Sequence, residues 1–292
     1  MRDEVRQIQR LLEEQVYIAD AAIATALYLS MALGKPLLIE GPAGVGKTEI
    51  AKALASALQT KLIRLQCYEG LDATTALYEW NYPKQLLHLK LEESSAASEV
   101  EKEAMIFSEA FLLKRPLLQA ITEHDRAPVL LIDEIDRSDE EFEAFLLEVL
   151  SDFQVTIPEI GPIKATHRPH VVLTSNRSRD LSDALRRRCL YHWIDYPSLE
   201  KELEIVRAKV SGIDETLSSQ LTRVMQATRT MSLSKIPGVA ETLDWANALV
   251  ALQAPALNEE VITETLGCFL KDESDIAAFK AELPRITTEY TD

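Results

Sequence analysis

A glycine-rich octapeptide at residues 41–48 constrains this chain more than any other feature. It reads GPAGVGKT, follows the apolar run PLLIE at 36–40, and precedes Ile50, Leu54 and Leu58, which are spaced as on one face of a helix. A glycine-rich turn between a buried strand and a helix lets successive backbone N–H groups point at phosphate oxygens, and the helix N-terminus adds positive potential. The octapeptide therefore predicts a binding site for nucleotide phosphates.

The residues of this loop have distinct expected roles. Lys47 is expected to place a point charge at the β- and γ-phosphates, and the Thr48 hydroxyl is expected to bind Mg²⁺. A chance match is the alternative, and the order strand, loop, helix argues against it. The predicted nucleotide-binding residues are Gly41, Pro42, Ala43, Gly44, Val45, Gly46, Lys47, Thr48 and Glu49.

Two acids end a second apolar run, at residues 129–132. Ligand sites of parallel sheets lie at the carboxyl ends of strands, so Asp133 is expected to hold the Mg²⁺ shell. Glu134 is expected to polarise the attacking water as the catalytic base. The alternative is that Asp133, Glu134 and Asp136 only solvate the strand end and cap the next helix. The presence of the phosphate loop favours the catalytic interpretation.

A third apolar run, at residues 171–174, is followed by Asn176. A neutral amide there can hydrogen-bond both the γ-phosphate and the lytic water without adding negative charge to an acidic site. Asn176 alone would indicate a turn residue. Because it is third in a series of polar strand ends, we predict that it senses the γ-phosphate.

The cationic sequence LRRRC at 185–189 comes shortly afterwards. A guanidinium at the γ-phosphate stabilises the charge of the transition state, and a neighbouring subunit often supplies it. Surface ion pairing is the alternative for some of these arginines. Arg188 or Arg187 is the predicted finger, and the sequence does not choose between them.

Composition limits the classes of partner. The chain has 292 residues, with 31 Lys+Arg against 47 Asp+Glu and a formal net charge of -16, which disfavours nucleic acid as a ligand. The most apolar stretch, 18–33, is interrupted by Asp20 and predicts no membrane span. The three cysteines lie far apart and form no CxxC pair, which predicts reduced thiols and a cytoplasmic location.

Alternating strand and helix patterns predict an α/β fold of the P-loop NTPase type, an αβα core with a mostly parallel sheet. We expect this domain at residues 1–196 and a small all-helical lid domain at 197–292. Within the first domain we expect an insertion at about 67–99 and a β-hairpin at about 153–165. A continuous helical pattern is predicted from Met105 to Ile121.

Taken together, these motifs resemble those of the AAA+ superfamily. GPAGVGKT corresponds to Walker A, VLLIDE to Walker B, VVLTSN to sensor 1 and ALRRRC to the arginine-finger box. The insertion and the hairpin FQVTIPEIGPIKA resemble the helix-2-insert clade and its MoxR family. The combination of CYEGLD, YEWNYPKQLL and PGVAETLDWANAL is most similar to the CoxD-like branch.

This resemblance implies an ATPase, with Mg²⁺ and ATP or ADP bound between the subunits of a hexameric homo-oligomeric ring. It also implies chaperone-like remodelling of a partner, often a protein with a von Willebrand factor A domain, in the maturation of a metalloenzyme. It places Tyr17 and Ile18 near the adenine. The sensor-2 arginine of the family is missing, because the comparable stretch 235–240 reads KIPGVA, and Lys235 is the only cation there.

Two other functions compete with protein remodelling. An ATP-gated scaffold of a chelatase-like metal-insertion complex would hydrolyse ATP slowly and depend on its partner. A nucleic-acid motor or loader shares the fold, but the net charge disfavours it. The aromatics Tyr78, Trp80 and Tyr82 of the insertion are expected to be exposed on a ring face or pore and to contact the partner.

Overall fold

The computed structural model describes residues 2–91 and 98–290. Within this part of the chain there are two compact units. The first comprises Met1–Ile8, Ala21–Glu40 and Ala51–His192, and the second comprises Gln9–Asp20, Gly41–Ile50 and Trp193–Asp292. The phosphate loop is thus grouped with the C-terminal helices. The domain boundary expected between residues 196 and 197 stays a prediction.

The described strands and helices alternate through the first two thirds of the chain, and only helices follow. The strands are β1 (Leu37–Glu40), β2 (Leu62–Gln66), β3 (Tyr78–Trp80), β4 (Leu112–Lys114), β5 (Val129–Asp133), β6 (Gln154–Ile157), β7 (Gly161–Lys164), β8 (His170–Ser175) and β9 (Leu190–Trp193). The helices are α1 (Arg2–Glu13), α2 (Ala21–Leu33), α3 (Lys47–Ala57), α4 (Ala73–Leu77), α5 (Tyr82–Leu91), α6 (Glu99–Ile106), α7 (Pro116–Ile121), α8 (Glu140–Asp152), α9 (Asp183–Arg188), α10 (Leu199–Lys209), α11 (Glu215–Arg229), α12 (Val239–Ala251), α13 (Glu259–Phe269) and α14 (Glu273–Tyr290).

A five-stranded sheet in the order β2-β5-β8-β1-β9 forms the centre of the fold. Parallel pairing joins β2 to β5, β5 to β8 and β8 to β1. The strands β1 and β5 are buried along their whole length, which matches their continuous apolar sequences. Parallel strands need helical crossovers, and helices surround the sheet. The predicted α/β fold of the P-loop NTPase type is confirmed.

The hairpin expected at residues 153–165 is present as the antiparallel pair β6–β7. The continuous helix expected from Met105 to Ile121 is wrong. In its place, α6 ends at Ile106, β4 pairs antiparallel with β3, and α7 begins at Pro116. A proline has no N–H to give to a helical bond, so it is favoured in the first turn of a helix, as Pro116 is in α7.

The expected exposure of Trp80 is also wrong. Trp80 is 7% exposed and packs edge-on against Phe107, with ring centroids 5.3 Å apart, inside the core of the first unit. Tyr78 is half-buried beside it, and only Tyr82 is exposed. The pairing of β3 with β4 turns Trp80 inwards. Part of the expected insertion, residues 92–97, lies outside the described residues.

The C-terminal helical region predicted from the sequence is confirmed. Its apolar core, in the second unit, includes Trp245, Phe269 and Phe279, each 1% exposed or less. The indole N–H of Trp245 donates to Thr265 Oγ1 at 2.8 Å, so the one polar atom of this ring is satisfied. Across residues 2–91 and 98–290, no helix combines the length and apolarity needed to cross a bilayer.

Candidate active site

The phosphate loop runs from the end of β1 to the start of α3. Gly44 and Gly46 have φ of +73° and +91°, a region that residues with a Cβ rarely adopt. Lys47 is buried, and its ammonium donates to the carbonyls of Gly41 at 2.8 Å and Pro42 at 2.6 Å. The lysine is therefore held against the loop at the N-terminus of α3, where backbone N–H groups and the helix dipole favour an anion.

The start of α12 contacts this loop. The Ala240 N–H donates to the Gly44 carbonyl at 3.1 Å, and a Cβ on Gly238 would lie 2.7 Å from the Gly44 Cα. Lys235, the only cation of residues 235–240, is exposed, and its backbone N–H donates to Asp275 Oδ2 at 3.0 Å. The contact to the loop is thus made by the backbone at Gly238 and Ala240.

Tyr17 and Ile18 are half-buried in the connection between α1 and α2. Burial raises the pKa of the Tyr17 phenol, and the negative charges of Asp20 and Glu49 raise it further. Glu49 also forms an ion pair with Lys209 at 3.6 Å. Segment 9–20 therefore packs with the start of α3, and the adenine contact expected for Tyr17 and Ile18 stays a prediction.

Asp133 ends β5 with its side chain 3% exposed. The Thr174 hydroxyl donates to Asp133 Oδ1 at 2.5 Å. Arg64, on the neighbouring strand β2, donates to Asp133 Oδ2 from Nε at 3.0 Å and from Nη2 at 2.6 Å. Each carboxylate oxygen of Asp133 thus has a partner in the same unit, and the Arg64 side chain, 49% exposed, has room to move.

Glu134 adopts a left-handed backbone conformation, with φ 55° and ψ 50°. Its N–H donates to the Thr174 hydroxyl oxygen at 2.9 Å. Its Oε2 accepts from Gln66 Nε2 at 3.1 Å and lies 2.9 Å from Nε of Arg137. The predicted base is therefore held by an amide and a cation of its own chain.

Asp136 is 3% exposed and organises the turn after β8. Its carboxylate accepts from the Asn176 N–H at 3.2 Å, from the Ser178 N–H at 2.8 Å and from the Ser178 hydroxyl at 2.7 Å. Burial alone would raise the pKa of Asp136, but these hydrogen bonds outweigh it and the pKa is lowered. Asp136 thus fixes the backbone that carries Asn176.

The Asn176 side chain is half-buried and makes no hydrogen bond to any other residue that the structure describes. A donor and an acceptor that are positioned by the backbone and have no protein partner can bind a ligand. Cys67 lies near the same acids, and burial, with the charges of Asp133 and Asp136, raises its pKa to about 12. A thiol with a raised pKa is largely protonated near neutral pH, and the protonated form is a poor nucleophile.

The three arginines of α9 differ in their contacts. Arg186 forms an ion pair with Glu40 at 3.2 Å. Arg188 donates to the Leu147 carbonyl at 2.9 Å and to the Ser151 hydroxyl, so it binds α8 of its own chain. Arg187 is exposed and has no hydrogen bond or ion pair with the described residues.

The sequence interpretation missed four polar residues that contact the predicted acids, which are Arg64, Gln66, Arg137 and Thr174. It also did not predict that Asp136 accepts from the Asn176 N–H or that Glu40 pairs with Arg177 and Arg186. The alternation of apolar and polar residues in β2 places Arg64 and Gln66 on one face of the strand, and this was the available sequence signal for their contacts. Its meaning depends on β2 being the neighbour of β5, with Gln66 opposite Asp133. Strand order is a property of the tertiary structure, so local pattern did not reveal these contacts.

The residues present fit a magnesium nucleotide. The loop has glycines with positive φ, and a Cβ on Gly46 would meet no atom within 4 Å, so the space above it is open. Thr48 in the second unit and Asp133 in the first each carry the kind of oxygen donor that Mg²⁺ prefers. No cluster of three or more His, Cys, Asp or Glu side chains suited to a metal ion occurs in the described ranges. Such a site would use few protein ligands, as is usual for Mg²⁺ held together with phosphates.

Comparison with known proteins finds chains of similar sequence or similar fold. An uncharacterized protein of Staphylococcus haemolyticus is 25% identical over 280 residues, covering 92% of this chain and 97% of that protein. A proposed ATPase from Cytophaga hutchinsonii superposes with a TM-score of 0.50 at 16% identity, covering 97% of this chain and 86% of that one, which is a likeness of fold. RuvB of Thermotoga maritima, a Holliday junction branch migration motor, gives a TM-score of 0.49 at 20% identity, covering 96% of this chain and 76% of that one.

A family model provides the assignment. The model of the ATPase family associated with various cellular activities (AAA) matches residues 37–194, more than half of the chain, from β1 through the phosphate loop to the residue after β9. The matched segment contains the two acids, Asn176 and the arginines of α9. This chain therefore belongs to the AAA family of ATPases.

Proposed function

We propose that this AAA ATPase hydrolyses ATP with Mg²⁺ and uses the energy, as a homo-oligomeric ring, to remodel a partner protein. The observation that carries the proposal is the set of polar groups at the ends of β1, β5 and β8. They include a lysine held against a glycine loop, two adjacent acids with different bonding partners, and an asparagine amide without a partner among the described residues.

The proposed roles follow from the chemistry of each group. Lys47 and the loop amides bind the β- and γ-phosphates, and Glu134 accepts a proton from the attacking water. Asn176 orients that water and the γ-phosphate through its neutral amide. Thr48 and Asp133 would hold Mg²⁺, which supplies positive charge that neutralises the phosphate oxygens.

Arg187 is the proposed finger. The Arg188 guanidinium donates hydrogen bonds to α8 of its own chain. Arg187 is exposed and has no hydrogen bond or ion pair with the described residues. The helix α9 that carries it leads into β9, an edge strand of the sheet. A guanidinium at that edge is suited to reach the nucleotide of a neighbouring subunit, as a ring would require.

The surface of the insertion supports a protein partner. The helix α5 exposes Tyr82, Leu86, Leu87 and Leu91, each at least 59% exposed. Clustered exposed apolar side chains are typical of protein interaction sites. The net charge of -16 disfavours nucleic acid. The resemblance to the MoxR family and its CoxD-like branch favours a hexamer, a von Willebrand factor A domain protein as partner, and maturation of a metalloenzyme.

A second candidate function is an ATP-gated scaffold with slow basal hydrolysis. The pairing of Asp133 with Arg64 and of Glu134 with Gln66 and Arg137 favours it, since an acid that is already bonded to these side chains must release them before it can contact Mg²⁺ or the attacking water. Hydrolysis would then rise when a partner releases the two acids. The basal rate, measured with and without co-purified proteins, distinguishes the two functions.

Two substitutions test the ATPase. Lys47→Ala is expected to abolish ATP binding because the phosphates lose their counter-charge. Glu134→Gln is expected to keep binding and to lose hydrolysis, since the phosphate contacts survive without the base. Binding is measured by fluorescence of a labelled ATP analogue and hydrolysis by phosphate release, with Lys61→Ala and Glu140→Gln as controls. Equal loss of binding in both test variants would contradict the assigned roles.

A further inference from the structure

A wholly buried carboxylate lies at the last residue of β1, directly before the phosphate loop in the chain. Glu40 is 0% exposed, and the Tyr191 hydroxyl donates to its Oε2 at 3.2 Å. Removing a carboxylate from water is unfavourable by several kcal/mol unless counter-charges and hydrogen bonds compensate. A single neutral hydroxyl does not meet that need, so the other groups around Glu40 are significant.

Two arginines from different segments supply the counter-charge. Arg186 Nη2 lies 3.2 Å from Glu40 Oε1, and Arg177 Nε lies 3.7 Å from Glu40 Oε2. The arginine side chains are 32% and 49% exposed, so each extends from solvent to the buried acid. The order of the strands explains why both arginines reach Glu40. The strand β1 lies between β8 and β9, Arg177 comes shortly after β8, and α9, which carries Arg186, comes shortly before β9.

Both arginines are sequence neighbours of groups proposed to act on the nucleotide. Arg177 directly follows Asn176, and Arg186 directly precedes Arg187. Arg177 has φ 58°, so the chain turns sharply immediately after Asn176. Because one peptide bond separates each pair, anchoring the arginine restricts the backbone of its neighbour. One carboxylate thus constrains two segments, the turn after β8 and the helix α9, whose arginines are nine residues apart in the sequence.

We propose that Glu40 is a positioning residue, which orients Asn176 through Arg177 and Arg187 through Arg186. This inference rests on the proposed function, in which Asn176 and Arg187 act on the γ-phosphate. Glu40 itself contacts neither nucleotide nor water in this role. It links the segment that senses the nucleotide of its own subunit to the helix that serves a neighbouring one.

The ion pairs of Glu40 with Arg177 and Arg186 are longer and more exposed than a buried ion pair elsewhere in the chain. Arg229 and Glu202 bond at 2.5 Å with side chains 6% and 0% exposed. The two arginines on Glu40 lie farther away and are partly exposed. An acid shared between two partly exposed cations is suited to coupling their positions.

A double-mutant cycle in the full chain tests the proposal. Glu40→Gln keeps the shape and the bond from Tyr191 but removes the charge, Arg186→Gln removes one cation, and the double variant combines them. Glu123→Gln, which removes the partner of Lys61 in the same unit, is the carboxylate-to-amide control. For each variant we measure kcat for ATP, the Kd of a fluorescent ATP analogue and the melting temperature.

Glu40→Gln and Arg186→Gln are each expected to lower kcat about 10-fold or more with Kd changed less than about 3-fold, because small misplacements of catalytic groups slow the chemistry. The double variant is expected to be no slower than the slower single one, since both changes break one interaction. Glu123→Gln is expected to match the wild type. If Glu40→Gln does not fold, Arg186→Gln alone must show the same split between kcat and Kd.

Three results would overturn the proposal. One is a folded Glu40→Gln chain with wild-type kcat. Another is a loss of ATP affinity in proportion to the loss of kcat, which would mean that Glu40 acts on the loop itself. The third is additive effects of the two substitutions. A wild-type chain that binds but never hydrolyses ATP would refute the proposed function, and the inference with it, so the two failures are distinguishable.

Discussion

Removing the carboxylate of Asp136 is expected to slow catalysis by displacing Asn176. Asp136 accepts three hydrogen bonds, from the Asn176 N–H and from the N–H and hydroxyl of Ser178. A hydrogen bond to a charged acceptor contributes about 1.5–3 kcal/mol, and water can replace part of this at the exposed Ser178. We therefore expect Asp136→Ala to lower the free energy of unfolding by about 3 kcal/mol, and Asp136→Asn, which keeps one acceptor oxygen, by about half as much.

The role proposed for Asn176 sets an upper limit on the loss of kcat in the Asp136→Ala variant. Deleting one preorganised donor at a transition state costs about 10²- to 10³-fold in kcat. Asp136→Ala displaces Asn176 without deleting it, so we expect a loss of about 10- to 100-fold, with the Kd for ATP nearly unchanged. Phosphate release, binding of a fluorescent ATP analogue and urea denaturation measure the three quantities.

Asp139→Ala is the matched control. Asp139 caps α8 by accepting from the Phe142 N–H at 2.8 Å, so its loss should lower stability by about 1 kcal/mol and leave kcat unchanged. A folded Asp136→Ala chain with wild-type kcat would refute the reasoning. An equal loss of kcat in Asp139→Ala would refute it too, since general destabilisation would then explain the effect.

The pH dependence of stability gives an independent check. The folded-state pKa of Asp136 is below its ordinary value, so its contribution is complete above the ordinary aspartate pKa and is lost as the pH falls through the folded-state pKa. The difference in free energy of unfolding between wild type and Asp136→Asn should therefore narrow in acid. A difference that stays constant or widens as the pH falls would contradict the assigned bonds.

Three further predictions concern other parts of the chain. Trp80→Ala should lower the free energy of unfolding by about 3–5 kcal/mol in urea denaturation, whereas Tyr82→Ala should change it by less than about 0.5 kcal/mol, and similar losses would contradict the burial difference. Arg137→Ala should raise basal ATPase activity, measured by phosphate release, because Glu134 loses a cation that competes for its carboxylate, and an unchanged or lower rate would reject this restraint. The Arg187→Ala variant should be nearly inactive alone, since an arginine finger raises kcat by about 10³-fold. It should regain ATPase activity when mixed with a chain that cannot bind nucleotide, because that chain still supplies the arginine. Arg188→Ala should not complement in this way, and complementation by it alone would transfer the finger role to that residue.

Local features of the sequence determined the class of fold and the main candidate residues. A buried strand, a glycine loop and an amphipathic helix follow one another within 36–58, and each is recognisable from spacing and residue type alone. Asp133 and Glu134 directly follow an apolar run, and Asn176 lies one residue beyond another, so their places in the sequence marked them as well. These predictions depend on contacts within a few residues, which sequence order already specifies.

The local sequence pattern led to a wrong prediction where the same spacing of apolar residues suits both a helix and a strand. The apolar spacing from Met105 to Ile121 suits a helix, yet Pro116 starts a new helix and residues 112–114 pair with β3. The same pairing buries Trp80, which the polar neighbours in its sequence did not indicate. Strand pairing is a contact between distant segments, so hydrophobic periodicity alone did not predict it.

Only the tertiary structure determined which charged side chains pair with each other in and beside the candidate active site. Arg64 meets Asp133 because β2 is the neighbour of β5, and Glu40 meets Arg177 and Arg186 because β1 lies between β8 and β9. The sequence separations run from 69 to 146 residues in pairs such as Arg64–Asp133 and Arg186–Glu40. A buried charge is stable only beside a partner, and the order of the strands in the sheet determines which distant residue becomes that partner.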